Sequence, residues 1–453
     1  MLTTRRHLPS VLLPLLLLAT VTVCAAQPPS VTPEARRSDI AQLRQLMLEV
    51  EKSWSPPART LAIARLDSLS GAADTISAVA FELAVARIVA TADNGHTSVP
   101  AARRSNRFNR IGLRLSPFGQ DFVVMRARPE YEEFLGARLT AIDGRPLAQA
   151  RAAAHQLHGG TPAWRDRFAP FTLESPQLLH ALGIARGADA ATYRFELLDG
   201  RSVDRRIAAE PPNANAPRQG SQRWFFGEAI AADSSPWRIL RAPGQLPWSL
   251  QQPGVPFRIR EATELGAVIV ELRQNNNAPG LPIRSFLDSA RAVISRVKPA
   301  HIVLDMRFNG GGDLNTTRDF VQALPTLVPG RVFALTSPYT FSAAISSVGY
   351  LKQSAPDRVT IVGEEVGDRL EMWAEGRPTE LANSLIMVGT ATERHDYVNG
   401  CRAYRDCHGA VVRDPISVPT LAPEVPAPWT REAYLAGRDP GMDAVARLVA
   451  QSR

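Results

Sequence analysis

Residues 301–347, HIVLDMRFNGGGDLNTTRDFVQALPTLVPGRVFALTSPYTFSAAISS, restrict the chain to few architectures, because they hold two strand-to-helix turns in succession. Residues 302–306 form a short apolar run rich in β-branched side chains, the pattern of a buried strand. The run stops at Asn309-Gly310-Gly311-Gly312, where glycine permits positive φ and close backbone approach. Asp313 occupies an N-cap position ahead of a helical pattern over 314–324. The second unit repeats the logic, with a strand over 331–335, a turn over 336–340 and a small-residue helix over 341–350. Further strands at 267–272, 359–363 and 385–389 and an amphipathic helix over 283–297 extend the alternation. Strands alternating with helices predict a largely parallel, layered α/β sheet.

Ser342 falls at the start of the second helix. A hydroxyl there meets unpaired backbone N–H groups and the positive end of the helix dipole, both of which favour developing negative charge. Glycine-rich backbone nearby supplies the other half of an oxyanion hole. Each feature also has an ordinary structural cause, since a triple glycine after a strand makes a tight turn and a helix-start Ser makes a cap. Phosphate binding is disfavoured. No Lys-Ser or Lys-Thr follows the glycines, and their spacing is not that of a dinucleotide fingerprint.

The order strand, D-x-R-x-N-G-G-G, helix, strand, then T-x-S-A at a helix start resembles the C-terminal-processing and tricorn-type serine peptidases. The resemblance covers most of the chain after its leader. It implies a crotonase-like catalytic domain, Ser342 as nucleophile, and an oxyanion hole from Gly311 (or an adjacent glycine) and Ala343. Serine needs a partner to take its proton. One branch of the family uses a Lys in a G-E-x-x-x-G-K motif, and here Gly363-Glu364-Glu365-Val366-Gly367-Asp368 ends in Asp. Lys352 lies on the helix that Ser342 begins, so a Ser–Lys dyad is disfavoured. The other branch uses a D-G-H-T motif whose His is the general base. Asp93-Asn94-Gly95-His96-Thr97 matches it with one extra residue, which implies His96 as base, although Gly95 stands where a supporting hydroxyl is expected. Without the resemblance, a His after a Gly turn is a surface loop residue. Glu364 and Asp396 are the carboxylates expected to orient His96. No cofactor and no metal is implied.

The leader sets the expected compartment. Arg5-Arg6 precede an apolar run ending in small residues near Ala26, the form of a secretory signal with cleavage near Ala25 or Ala26. The Arg pair hints at a twin-arginine route, and Cys24 would suggest a lipoprotein were Val23 smaller. Removing 1–26 takes two Arg and no acid, which lowers the net charge from +8 to +6. The Arg residues are scattered without interleaved aromatics, so a solvated basic surface is expected and nucleic acid is not an expected partner. No membrane span is expected after the leader. Cys401 and Cys407 remain, an even pair that reads as a disulfide in an oxidising compartment. A metal site with His395 and His408 is the alternative, without the usual zinc spacing. Residues 392–407 read equally as a loop closing a cleft or as a rigid surface loop.

The expected organisation is multi-domain α+β: a leader over 1–26, a helical domain over 27–100, a β-rich region with helices over 101–208, a linker over 209–222 and the catalytic domain over 223–453. The first helix has Ile40, Leu43, Leu46, Met47 and Val50 at helical spacing. Residues 136–146, GARLTAIDGRP, resemble the G-x-x-L-x-x-I-(N/D)-G-x-P signature of PDZ-like modules, which bind extended peptide at a sheet edge. The same residues read without the resemblance as a plain hairpin.

Three functions compete: an extracytoplasmic serine peptidase acting on peptides or partly unfolded proteins, a catalytically silent peptide or hydrophobic-ligand binder on the same scaffold, and a crotonase-type acyl-CoA enzyme. The leader argues against the third, and the pair Ser342 and His96 favours the first. The sequence assigns neither a substrate nor an oligomeric state.

Overall fold

The computed structural model describes residues 31–213, 221–228, 236–402 and 405–451. The leader with Cys24, and residues 214–220 of the expected linker, lie outside them.

Three helices open the described chain: α1 (Pro33–Gln45), α2 (Pro56–Gly71) and α3 (Ala78–Ala90). Each begins where the residues dictate. Thr32, Ser55 and Ser77 are extended N-caps whose hydroxyls accept from the backbone N–H of Ala35, Ala58 and Ala80, and Pro follows the first two caps. A single π turn, Leu46–Val50, prolongs α1. The helices bury Ile40, Leu43, Met47, Leu66, Phe81, Val85 and Val89 together, and Leu381, Ile386 and Val388 from far along the chain complete the cluster. The same distant segment is tied to α1 by polar contacts. The Asp39 carboxylate accepts from Asn383 N–H at 3.0 Å and Ser384 N–H at 2.7 Å. The cores of the molecule therefore do not follow the sequence-drawn boundary near residue 100.

The next unit is an eight-stranded sheet: β1 (Arg110–Ile111), β2 (Leu113–Phe118), β3 (Asp121–Ala127), β4 (Arg138–Ile142), β5 (Arg145–Pro146), β6 (Ala190–Glu196), β7 (Ser202–Glu210) and β8 (Arg238–Ile239). All its pairings are antiparallel, in the order β1-β7-β6-β4-β3-β2, with β5 on β4 and β8 on β3. The I-D-G-R-P segment makes the β4–β5 turn, with Asp143 and Gly144 both at positive φ, as a tight hairpin turn requires. Between β5 and β6 run four short helices, α4 (Leu147–His155), α5 (Pro162–Phe168), α6 (Pro170–Leu173) and α7 (Pro176–Ala181).

The second large sheet contains β9 (Phe257–Ala262), β10 (Ala267–Leu272), β11 (His301–Asp305), β12 (Val332–Thr336) and β13 (Val359–Gly363). Edge strand β18 (Val425–Pro426) joins β13, and every neighbour pair is parallel except β9–β10. Side chains alternate between two buried faces. Val268, Val270, Ile302, Leu304, Val332 and Ile361 face one cluster, while Ile269, Val303, Phe333, Leu335 and Val362 face another that Ala444, Val445 and Val449 of the helix Pro440–Gln451 close. Burial on both faces explains why these strands read as continuous apolar runs. Helix α8 (Ile283–Val297) lays Ile283, Phe286, Leu287, Ala290 and Ile294 on the first face, and α9 (Arg318–Ala323) and α10 (Ala343–Ser354) follow β11 and β12.

Two local readings are corrected. Residues 385–389 do not join the parallel sheet. Within them β16 (Met387–Val388) pairs with β15 (Thr379–Glu380) as a hairpin on the N-terminal helices, because its apolar side chains complete that cluster. Asp313 does not cap a helix from 314. Its carboxylate accepts from Asn315 N–H at 2.9 Å in a local turn, and α9 starts only at Arg318. A last pair, β14 (Glu371–Ala374) and β17 (Glu393–Asp396), lies outside both large sheets. No described helix is long and apolar enough to cross a membrane.

Candidate active site

Strands β11 and β12 lie side by side and parallel, so the loops leaving their C-terminal ends emerge together. The first is the glycine loop. Arg307 is buried at its base, held by Asp305 (Nη2–Oδ2 2.6 Å) and by Asp439 (Nη1–Oδ1 2.6 Å), so its charge is paired. Asn309 is fully buried. Its Nδ2 donates to Asn275 Oδ1 at 2.9 Å and its backbone carbonyl accepts from Phe341 N–H at 3.0 Å. The two loops are thus bonded to each other.

The second loop is locked by Thr340, whose Oγ1 donates to the Met306 carbonyl at 2.9 Å and accepts from Ser337 N–H at 3.0 Å. Ser342 follows with φ 56° and ψ −129°, a backbone conformation that an L side chain adopts only when its surroundings impose it. Its side chain is partly exposed at the N-terminus of α10. Gly311, at φ 101°, packs directly against it, and a Cβ there would stand 2.7 Å from Ser342 Cβ and 2.9 Å from the Phe341 carbonyl. Asn275 bolts the assembly, its Nδ2 donating to the Ala343 carbonyl at 3.0 Å, Ser347 Oγ at 2.9 Å and Thr317 Oγ1 at 3.2 Å.

His96 comes from the loop after α3. Thr97 Oγ1 donates to the buried Glu51 Oε2 at 2.9 Å, and Asn94 Nδ2 donates to Thr97 Oγ1 at 3.0 Å. Asn94 also exchanges hydrogen bonds with the backbone of Trp373 at 3.0 and 3.2 Å. Asp93 pairs with Arg369 (2.8 Å) and Arg165. The imidazole stacks on Phe341 (centroids 4.3 Å apart), and Phe341 stacks on Trp164 (3.7 Å). His96 therefore lies against the residue that precedes Ser342. Its Nδ1 stands 3.5 Å from Oδ2 of Asp368, a carboxylate buried at 4% exposure. Asp368 Oδ1 accepts from Arg369 N–H at 2.9 Å, and Oδ2 has no hydrogen-bond partner among the described residues. His96 Nε2 makes no hydrogen bond there either. Gly95 is required for this approach, since a Cβ would lie 2.6 Å from Asp368 Oδ2.

The carboxylates expected beside His96 are elsewhere. Glu364 accepts from Trp429 N–H at 3.5 Å at the edge of an aromatic pocket with Phe118, Phe308 and Tyr339, where burial pushes its carboxyl up to about 7. Asp396 is fully buried as a turn former, taking the N–H groups of Val398 (3.1 Å) and Asn399 (2.8 Å). The amide of Gly311 is also committed, donating to Asn309 Oδ1 at 2.9 Å. Among the described residues the amides of Gly310, Gly312 and Ala343 have no recorded acceptor. Cys401 and Cys407 are joined by a disulfide, and Lys352 is held by the Pro356 and Val359 carbonyls and Glu424.

Sequence reasoning passed over Asp368, Asn275 and the Trp164–Phe341 stack. Asp368 had a signal, as an acid replacing the Lys of a motif, but its proximity to His96 depends on residues far apart in sequence. Asn275 had none, being one of three consecutive Asn in a row of polar residues.

No family model matches the chain, and no curated protein matches it. Among solved structures, mature CPAF complexed with lactacystin has 15% sequence identity and a TM-score of 0.59, over 92% of this chain and 98% of that one. The photosystem II D1 C-terminal processing protease has 13% identity and a TM-score of 0.38, over 92% and 97%. The tricorn protease has 14% identity and a TM-score of 0.39, over 92% and 37%. The chain thus shares the fold of mature CPAF along nearly the whole of both chains, a mixed α/β fold with a helical N-terminal region and several sheets.

Proposed function

We propose that this protein is a serine peptidase of the C-terminal-processing type, acting outside the cytoplasm on peptides or partly unfolded proteins. Ser342 is the nucleophile, His96 the general base, and Asp368 the carboxylate that holds the imidazole. The observation that carries the reading is the strained backbone of Ser342 at the head of α10, directly after Phe341, on whose ring His96 stacks. Strain at one partly exposed serine is explained by a need to aim its hydroxyl.

In the reaction, Ser342 Oγ attacks the scissile carbonyl as its proton passes to His96 Nε2. The imidazolium keeps its Nδ1–H toward Asp368 Oδ2. The oxyanion of the tetrahedral intermediate takes hydrogen bonds from Ala343 N–H and from a glycine-loop amide, Gly310 or Gly312, the Gly311 amide being committed to Asn309. His96 then delivers its proton to the leaving amine, and water hydrolyses the acyl-enzyme by the same steps. The eight-stranded sheet, with its PDZ-like hairpin, frames the cleft. Export is supported by the composition of residues 1–26 and by the disulfide, which fits an oxidising compartment.

One observation favours the silent binder as a second reading: His96 Nε2 has no hydrogen bond to Ser342. Catalytic hydrogen bonds often tighten only with substrate present, which is why the first reading is preferred. Labelling of the purified protein with a fluorophosphonate probe separates the two. Labelling abolished by Ser342→Ala and sharply reduced by His96→Ala is the expected result, and an unlabelled, folded wild type would transfer the chain to the binder class. Lactacystin, the compound complexed with mature CPAF, serves as a competing probe.

A further inference from the structure

Three side chains that the proposed chemistry does not use converge beside His96. Glu375 leaves the end of β14, His395 lies on β17, and His408 follows the disulfide-bonded Cys407. The backbone brings them together. Met372 pairs with His395 in the β14–β17 ladder, and His408 N–H donates to the Arg394 carbonyl at 3.0 Å, which lays the post-disulfide segment along β17. The two imidazoles stack with centroids 5.1 Å apart, and ligand atoms of all three residues lie within 4.8 Å of one another.

The His395 side chain is almost wholly buried. Its Nε2 stands 3.2 Å from Glu375 Oε1, an ion-pair distance. His408 Nδ1 is buried and has no hydrogen bond among the described residues, while its Nε2 lies 3.9 Å from Glu393 Oε2. A buried imidazole nitrogen without a hydrogen bond is costly unless another ligand takes its lone pair. The opposite edge of His395 is prepared for that use. Its Nδ1 is 2.9 Å from Tyr397 OH, which is 2.6 Å from Ser346 Oγ on α10. If Tyr397 donates to Ser346, it accepts from His395 Nδ1–H, and Nε2 is left as the basic nitrogen. Such an outer partner is what orients a metal-ligating histidine.

We propose that Glu375, His395 and His408 bind one zinc-class divalent cation that restrains the neighbouring catalytic base. Two imidazoles and one carboxylate suit zinc, and three protein ligands leave a fourth position for water. Bonds of about 2.0–2.1 Å in a tetrahedron hold ligand atoms about 3.3 Å apart, so the cluster closes around the ion by a small contraction, led by the half-exposed Glu375. The disulfide excludes both cysteines from the ligand set. The site is coupled to the proposed catalytic residues from two sides. Asn94, two residues before His96, clamps Trp373, two residues before Glu375. The Tyr397–Ser346 contact reaches the helix that Ser342 begins.

The binding claim stands on the cluster alone, while restraint of the base rests on the peptidase reading. The test uses tag-free mature protein, equilibrium dialysis against zinc chloride with elemental analysis, and calorimetric titration. One zinc per chain with a micromolar or tighter Kd is expected, equal in wild type and Ser342→Ala and not displaced by magnesium. Glu375→Gln and His408→Gln, confirmed folded by circular dichroism, should each bind at least tenfold more weakly. No stoichiometric uptake, or uptake unchanged in both variants, overturns the site. Fluorophosphonate labelling should slow several-fold with one equivalent of zinc in wild type and stay unchanged in His408→Gln. Binding without slowing overturns the restraint. An enzyme that never labels defeats the peptidase reading instead, with zinc uptake by Ser342→Ala still deciding the site.

Discussion

Replacing Asp368 by Asn keeps the shape of the side chain and removes the negative charge that faces His96 Nδ1 at 3.5 Å. The charge matters only when the imidazole is protonated, which in the proposed cycle means the tetrahedral step. For a buried carboxylate at that distance, an effective dielectric of about 20 gives an attraction of about 5 kcal/mol, before any compensation from water or neighbouring dipoles. Keeping about 3–4 kcal/mol of it after compensation corresponds to a loss of about 10²–10³-fold in rate. The Asn amide adds a second penalty if its NH₂ turns toward the ring, since it then favours the tautomer that cannot accept the Ser342 proton. The assay is the second-order rate constant of fluorophosphonate labelling, alongside a thermal melt to show that Asp368→Asn is folded. A rate within threefold of wild type would refute the assignment. So would a comparable loss in Glu364→Gln, because that carboxyl sits in the aromatic pocket rather than against His96.

Glu364 gives a prediction of the opposite kind. Its carboxyl is raised to about 7 by burial, against 4.5 when exposed, so between those values the unfolded chain holds fewer protons than the folded one and stability falls as pH rises. The full penalty, roughly 3 kcal/mol, is reached above pH 7, and Glu364→Gln should gain on wild type by about that much in melts at pH 8 while matching it near pH 4. Ser342→Gly removes the strain of the positive φ and should melt above Ser342→Ala, by about 1 kcal/mol once the entropy of glycine is subtracted, with neither variant labelled. Gly95→Ala forces a Cβ to 2.6 Å from Asp368 Oδ2 and 2.9 Å from Phe341, and should cost about 1–3 kcal/mol in chemical denaturation together with most of the labelling rate.

The core of the molecule was legible where the local pattern and its burial agree. The β-branched runs of β11 and β12 and the apolar stripe of α8 announced a parallel sheet and its covering helix, since both faces of those strands are buried. The turn holding Ser342 was legible through its glycines, since Gly311 and Gly312 take positive φ, whereas the positive φ of Ser342 itself had no sequence signal. What could not be read was any pairing made by the tertiary structure. Residues 385–389 have the composition of a strand, yet their partners are a hairpin neighbour and the N-terminal helices. Glu364 and Asp396 were the carboxylates expected from the sequence, and nothing local set Asp368 above them. Only the approach of the 93–97 loop to the 367–369 turn, allowed by Gly95 and held by the Asp93–Arg369 pair, separates them. The commitment of the Gly311 amide was hidden in the same way, inside a two-residue contact with Asn309.

The hairpin at 379–388 has a consequence for how the molecule comes into being. Helices α1 to α3 leave the ribosome long before Leu381, Ile386, Val388 and the amides that satisfy Asp39, which are made only after strands β9 to β13. These helices wait for a segment made much later, a closure of very long sequence separation that makes assembly slow. His96 and Phe341, on the order of 250 residues apart, stack through a closure of the same kind. A nascent or truncated chain ending before residue 381 lacks the hairpin that completes the cluster of α1 to α3, so the 93–97 loop that follows α3 has no finished support until that hairpin is made.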